Sequence, residues 1–508
     1  MSAAARIPTF WTKAVLAVAL VAAADLLVLR PEAAGAGLGL FALAWCAAAA
    51  LATPAILRNA VGRLTLLAAV AFAALQVERA TLVGWLLFGV ALGVAALSPR
   101  AAKGDDSWRW LQRILRQGAM GLIAPLADLR TLAAPRLRQR RAPLRIAALG
   151  ALLPVGGGLL FLWLFAEANP LVARLLPKLA LPELEPWRLV VWSIVLLAVW
   201  GVLRPRFLRR PRTAPDSAED LALPGVTPGS ITLSLAVFNA VFALQNGLDL
   251  AFLWSGAPLP EGMSHAEYAH RGAYPLIATA LLAGLFVVVF LRPGSPTASS
   301  RTVRRLVVLW VAQNLLLVAS TVLRTLEYVE AYSLTTLRLA ALLWMGLVAM
   351  GLALICWRLL RAKSAGWLID ANVLLGGLLL AACSLVDLSA VAAAWNVRHA
   401  RDVGGRGAPL DVCYLSGLGD AGVVALAELE TRAGPEDLRR RARAAMEIPL
   451  DALHRRQRDW RTWSWRSMRR LARVQALGAA STPPAPGWSC AGGPRPAAPL
   501  TAPAQPRT

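Results

Sequence analysis

Within an otherwise apolar stretch, Asn239, Gln245, Asn246 and Asp249 fall inside an arc of about 120° when the chain is wound as a helix, so one face is polar. A second apolar stretch repeats the arrangement with Gln313, Ser320 and Arg324, and continuing the helix brings Glu327 to the same side. Arg338 opens the next apolar run, and Asp387 lies in the last third of another. An ionisable group among so many apolar neighbours is costly and normally faces a protein interior. All five tyrosines of the chain, Tyr268, Tyr274, Tyr328, Tyr332 and Tyr414, fall in or beside the polar connections of this same half, interleaved with His270, Arg271, Glu327 and Glu330. The chemistry these side chains offer is recognition of a polar ligand by hydrogen bonds and charge. The candidate site is Asn246, Asp249, Tyr268, His270, Arg271, Arg324, Glu327, Tyr328, Arg338 and Asp387. Two readings compete: a lined pocket, or Asp–Arg pairs that lock helices together with tyrosines as interfacial anchors.

Reaction chemistry has no comparable signature. There is no nucleophile–base arrangement and no paired-carboxylate motif. CxxC, HExxH and zinc-spaced Cys/His clusters are absent, and His265 and His270 stand five residues apart, on different sides of a helix. No catalytic residue, cofactor or metal is assigned. Cys46, Cys356 and Cys383 lie in apolar stretches as packing residues, while Cys413 and Cys490 would share an oxidising side if the chain after residue 393 is outside. The position of Cys490 in a Pro-rich tail argues against a fixed pairing.

The elements that must position these residues are membrane spans. Eleven mostly apolar stretches of about twenty residues, the length that crosses the hydrocarbon core, lie at roughly 14–29, 36–53, 64–77, 80–97, 145–166, 188–203, 230–253, 273–291, 306–323, 334–357 and 367–392. A hydrophobic fraction of 57% and a mean hydropathy of +0.55 agree with an all-α, polytopic membrane protein. The spans divide six plus five. Residues 1–203 form an N-terminal membrane region with a basic arm at 98–145, 204–229 a linker and 230–392 a five-span module. An extramembrane helical region follows at 393–477, and residues 478–508, with eight prolines, read as disordered.

Orientation follows from Lys and Arg, which short loops retain on the cytoplasmic side. With the N-terminus inside, cytoplasmic segments up to residue 366 carry 27 basic residues and outer ones 8. The remaining 18 of 53 lie after residue 393, which an odd span count places outside. The formal charge of +24 therefore follows membrane topology, and nucleic-acid binding ranks last. The partners expected are the lipid bilayer and its anionic headgroups. The arm at 98–145, with Trp108, Trp110, Leu111, Ile114 and Leu115 among eleven basic residues, suits an interfacial helix as well as a solvated loop. Trp460, Trp463 and Trp465 among Arg458, Arg461, Arg466, Arg469 and Arg470 suit either headgroup contact or packing over the bundle through the Trp face.

Five segments carry a family resemblance: Asn239 to Ile277 with NGLDLAFLWSGAPLPEGMSHAEYAHRGAYPLI, LRTLEYVEAYSLTTLRL at 323–339, WNVRHA at 395–400, LDVCYLSGLG at 410–419 and DWRTWSWRSMRRL at 459–471. Together with AAADLLVL at 22–29 they resemble bacterial membrane proteins grouped under domains of unknown function 4153 and 4173. The resemblance implies a multi-pass protein of the bacterial cytoplasmic membrane and brings no activity, cofactor or catalytic residue. This chain departs from it at Asp420, reading DAGVVAL in place of a Pro-containing DAVPAL-type run.

Four classes of function remain to be weighed: transporter of a small solute or lipid, envelope enzyme on a lipid-linked substrate, membrane sensor or scaffold, and nucleic-acid binder. No inverted repeat supports the first, no output module the third, and the polar site is what the first two share. The charge asymmetry makes the topology testable. In a background without native cysteines, Ser264→Cys is expected to label from outside intact cells and Ala298→Cys only after permeabilisation. Labelling of position 298 in intact cells inverts the orientation.

Overall fold

The computed structural model describes residues 10–29, 35–102, 104–133, 186–206, 227–251, 300–431 and 435–478, with the single positions 158, 211, 282, 286 and 490. Regular structure among the described residues is helical, without a strand. In chain order the helices are α1 (Phe10–Leu27), α2 (Ala36–Ala52), α3 (Ala60–Glu78), α4 (Leu82–Leu97), α5 (Ser107–Ala133), α6 (Pro186–Leu203), α7 (Pro228–Asp249) and α8 (Arg301–Tyr332). They continue as α9 (Thr336–Arg361), α10 (Ala365–Leu385), α11 (Leu388–His399), α12 (Val412–Gly417), α13 (Asp420–Thr431), α14 (Glu436–Arg458) and α15 (Trp465–Ala476). Seven described helices, α1, α3, α4 and α7 to α10, are long and apolar enough to cross a membrane, while α2 and α6 are apolar but shorter. The expected spans at 145–166 and 273–291 lie outside the described residues. Leu64, Leu67, Leu244, Leu337, Leu374 and Leu378 are exposed on these helices, as lipid-facing side chains are at no cost in hydrocarbon.

The chain forms two compact units, the second of which gathers residues 75–87 and 106–109 with everything from 212 onward. In the first unit α1 and α6 run antiparallel. Arg188 holds the Asp25 carboxylate bidentately at 2.8 and 2.9 Å, and Trp192 Nε1 donates to it at 2.9 Å. At the other end Lys13 Nζ donates to the Leu203 carbonyl at 2.9 Å, where a cation meets the negative end of a helix dipole. The arm contains the amphipathic α5, anchored by Asp128 to Trp200 Nε1 at 3.0 Å and to Arg206 at 3.0 Å. Its Leu111, Leu115 and Leu122 stay exposed.

In the second unit α7 and α8 run parallel, since Asn239 meets Leu306 and Gln313, and further along Asp249 meets Arg324. Phe286, from the intervening segment, packs on Phe238 and Trp310 midway along the pair, with ring centroids 5.4 and 5.6 Å apart. Helix α8, at 32 residues, is about 48 Å long and outruns a hydrocarbon core of about 30 Å.

The span expected over 367–392 does not run through. Helix α10 ends at Leu385, and Asp387 caps a new helix, accepting from Ser389 N at 3.1 Å and Ala390 N at 3.3 Å. From there α11 to α15 form a helical body whose core comprises Val397, Leu415, Leu426, Met446, Leu453 and Val474. Gly422, in the DAGVVAL segment, lies so close to the Leu415 carbonyl that a Cβ there would overlap its oxygen. The segment is thus a close helix crossing. Between α14 and α15 the helix breaks at residues 459–464, where Ser464 caps α15 by accepting from Ser467 N at 3.1 Å.

The turn between α8 and α9 shows how this body grips the spans. Ser333 has φ 68°, a region that L residues rarely adopt. Buried Asn396 clamps its neighbour, accepting from Leu334 N at 2.8 Å and donating to Leu334 O at 2.9 Å, and Tyr414 Oη accepts from Thr336 N at 2.9 Å. Asn396→Leu leaves a buried amide and carbonyl without partners. We expect destabilisation by about 2–4 kcal/mol, read from chemical unfolding in detergent. A loss below about 0.5 kcal/mol means that the clamp contributes nothing.

Candidate functional site

The polar faces of α7 and α8 meet along their seam. Asn239 Nδ2 donates to Leu306 O at 3.1 Å, Gln313 Nε2 donates to Asn239 Oδ1 at 2.8 Å, and Asn246 Nδ2 donates to Gln313 O at 3.2 Å. Beyond them Arg324 donates to Asp249 Oδ1, which also accepts from Gln245 Nε2 at 3.0 Å. Both members of the ion pair are buried, with side-chain exposures of 7% and 2%. The sequence forces this arrangement, because each polar group in an apolar span must find its partner within the protein. Asn246 Oδ1, Asp249 Oδ2, Gln313 Oε1 and Asn314 Oδ1 are buried acceptors without a donor among the described residues.

Of the other predicted site residues, Arg338 lies over the Tyr328 ring at 4.1 Å and donates to Tyr332 O at 2.7 Å. The Tyr328 and Tyr332 rings lie 4.8 Å apart, tilted by 51°. This is the cation–π geometry of a charge sheltered at a helix end. Glu327 and Tyr328 are both half-buried on the last turns of α8. Tyr268, His270 and Arg271 lie outside the described residues.

Asp387 pairs with neither Arg324 nor Arg338 and is held by Arg79 at 3.5 Å, Arg466 at 3.7 Å and Arg470. The reason is its place at the α10–α11 break. Arg79 and Arg466 also donate to the last carbonyls of α10, Val386 O at 3.1 Å and Leu385 O at 3.2 Å. The Glu78 carboxylate in turn accepts from Trp465 N at 3.1 Å and Arg466 N at 2.7 Å. Carboxylate at an N-terminus and guanidinium at a C-terminus are what helix dipoles favour. Sequence reasoning missed this knot, because its members are spread from Glu78 to Arg470. The available signal was the arginine spacing at 466, 469, 470 and 473, one stripe of a helix.

These features define a multi-pass helical membrane protein with a polar seam between two of its spans and an arginine-rich helical body in the same unit. The chain belongs to the family described as domain of unknown function (DUF4153), whose model matches residues 46–429. No curated protein and no solved structure matches it.

Burial works against the charge of Asp387, yet the Arg470 hydrogen bond, the Arg79 and Arg470 charges and the Ala390 amide overcome it and hold its carboxyl below the ordinary 3.8. A carboxylate with a depressed folded-state value contributes stability above its unfolded value and loses it as pH falls through the folded one. Asp387→Asn is therefore expected to lower the unfolding temperature at neutral pH, with the deficit closing below pH ~4. An equal deficit at acid and neutral pH shows that shape, not charge, is what Asp387 supplies.

Proposed function

We propose that this chain is a protein of the bacterial cytoplasmic membrane whose α7–α8 seam binds a small hydrogen-bond donor, of ammonium or hydroxyl type. The four donorless acceptors of Asn246, Asp249, Gln313 and Asn314 carry this reading, because a buried acceptor left unmet costs about 1–3 kcal/mol and a donor ligand recovers it. Asp249 and Arg324 neutralise each other, so the ligand gains from hydrogen bonds and local orientation. Transport of such a solute ranks ahead of catalysis, since nothing at the seam provides a nucleophile and base.

The orientation we propose has the N-terminus in the cytoplasm and α11 to α15 outside. Basic Arg301, Arg304 and Arg305 at the start of α8 support it, as does the Cys413–Cys490 disulfide, a bond of oxidising compartments. Exposed Trp460 and Trp465, and the exposed leucines of α5, support contact with anionic headgroups.

The test uses full-length protein in phosphatidylcholine nanodiscs with ethanolamine and glycerol as probes. At about a hundredfold excess over Kd, a ligand stabilises by about 2.7 kcal/mol. Ethanolamine or glycerol is expected to raise the unfolding temperature of the natural protein but not of Asn246→Leu/Gln313→Leu. If neither probe shifts the unfolding temperature of the natural protein, the reading fails, and a loss of stability in Asp249→Leu/Arg324→Leu then assigns the seam to locking the two helices.

A further inference from the structure

We propose that an open pocket lined by α11, α13 and α15 is a binding site for a phosphate group. It has a volume of about 390 Å³, within the range of small-ligand sites. Arg466, Arg469, Arg470 and Arg473 line it from one face of α15, and Arg398 lines it from α11. Glu428 of α13 is the carboxylate among its lining residues. The α15 arginines fall at i, i+3, i+4 and i+7, neighbouring positions where like charges destabilise a helix. Such a stripe gains stability from an anion.

The guanidiniums divide by what already holds them. Arg466 and Arg470 reach Asp387, and Arg473 lies 3.6 Å from Glu428. Arg398 and Arg469 have no carboxylate partner among the described residues. Two free forks, with others oriented beside them, suit a tetrahedral dianion, which offers oxygens to more than one guanidinium at once. A carboxylate is satisfied by one fork. Opposite the arginines the wall is apolar, with Ala390, Ala394, Ala421 and Ala425, which strengthens each charged hydrogen bond. Among the described residues no aromatic side chain lines the pocket to stack a base, which disfavours a nucleic-acid strand as occupant.

The site is built in advance of its ligand. Glu78 on the first amides of α15, the Ser464 cap and buried Val474 fix that helix, and Asp420 ties it to α14 by accepting from Ser467 Oγ at 2.9 Å and from Arg456. The four α15 arginines lie beyond the family match at 46–429. The inference is independent of the α7–α8 seam and of general headgroup contact.

The phosphate has two possible sources, a lipid headgroup or a soluble ester, and the experiment separates them. Full-length protein in pure phosphatidylcholine nanodiscs is titrated calorimetrically with inorganic phosphate and glycerol 3-phosphate. In parallel, native mass spectrometry counts phosphatidylglycerol retained from mixed nanodiscs. Saturable one-to-one binding of either kind is expected, weakened at least about tenfold, or ~1.4 kcal/mol, in Arg398→Gln/Arg469→Gln. Arg439→Gln/Arg458→Gln, which removes the same two charges from exposed sites on α14, is expected to change nothing. Binding of the soluble probes assigns a soluble ester, and retention of phosphatidylglycerol alone assigns the headgroup. Should the double variant unfold, Ala394→Phe fills the pocket with every arginine in place and is expected to abolish binding. Absence of saturable binding in both arms overturns the proposal, as does an equal loss in Arg439→Gln/Arg458→Gln or undiminished binding in Ala394→Phe.

Discussion

Polar groups inside hydrocarbon have no water to fall back on, and the second unit is organised by that constraint. Asn239, Asn246 and Asp249 cannot face lipid, so they turn α7 toward α8, whose Gln313 and Arg324 turn to meet them. The hydrogen bonds fix the register of two parallel helices. The aromatic cluster of Phe238, Phe242, Phe286 and Trp310 fills the same seam one level away. Apolar packing alone would tolerate rotation of either helix; the polar ladder does not.

The same constraint explains the α10–α11 break. A carboxylate in the middle of a span would need a buried cation, whereas at a helix boundary it meets backbone amides as well. Asp387 uses both, and three arginines brought from two distant parts of the chain close the gap that the break leaves. The result is that α15 is tied by its first turn to Glu78 and by its side chains to the end of α10.

Much of this was legible in the sequence. Length and hydropathy located nine of eleven expected spans on helices that the structure describes, and helical spacing put Asp249 and Arg324 on polar faces that do meet. The break at Val386 was hidden, because apolar residues continue to Ala392 and hydropathy does not register a cap. The Asp387 cage was hidden for another reason: Arg79 and Arg470 approach through tertiary structure, and no periodicity links them. The role of Gly422 likewise depends on a carbonyl seven residues earlier folding back onto it. The Pro-rich composition around Cys490 argued against a fixed partner, yet the thiol is joined to Cys413.

That disulfide spans 77 residues of sequence and turns everything from α12 to α15 into a covalent ring. A single backbone cut anywhere within the ring leaves no severed end, because the two pieces stay joined through sulfur. A protease nick between helices would therefore open a link without releasing a fragment, and the arginine stripe would stay tethered to the membrane spans. Only reduction after cleavage would let it go. The C-terminal body thus has two locks in series, a fold and a ring, and loses its attachment when both are undone.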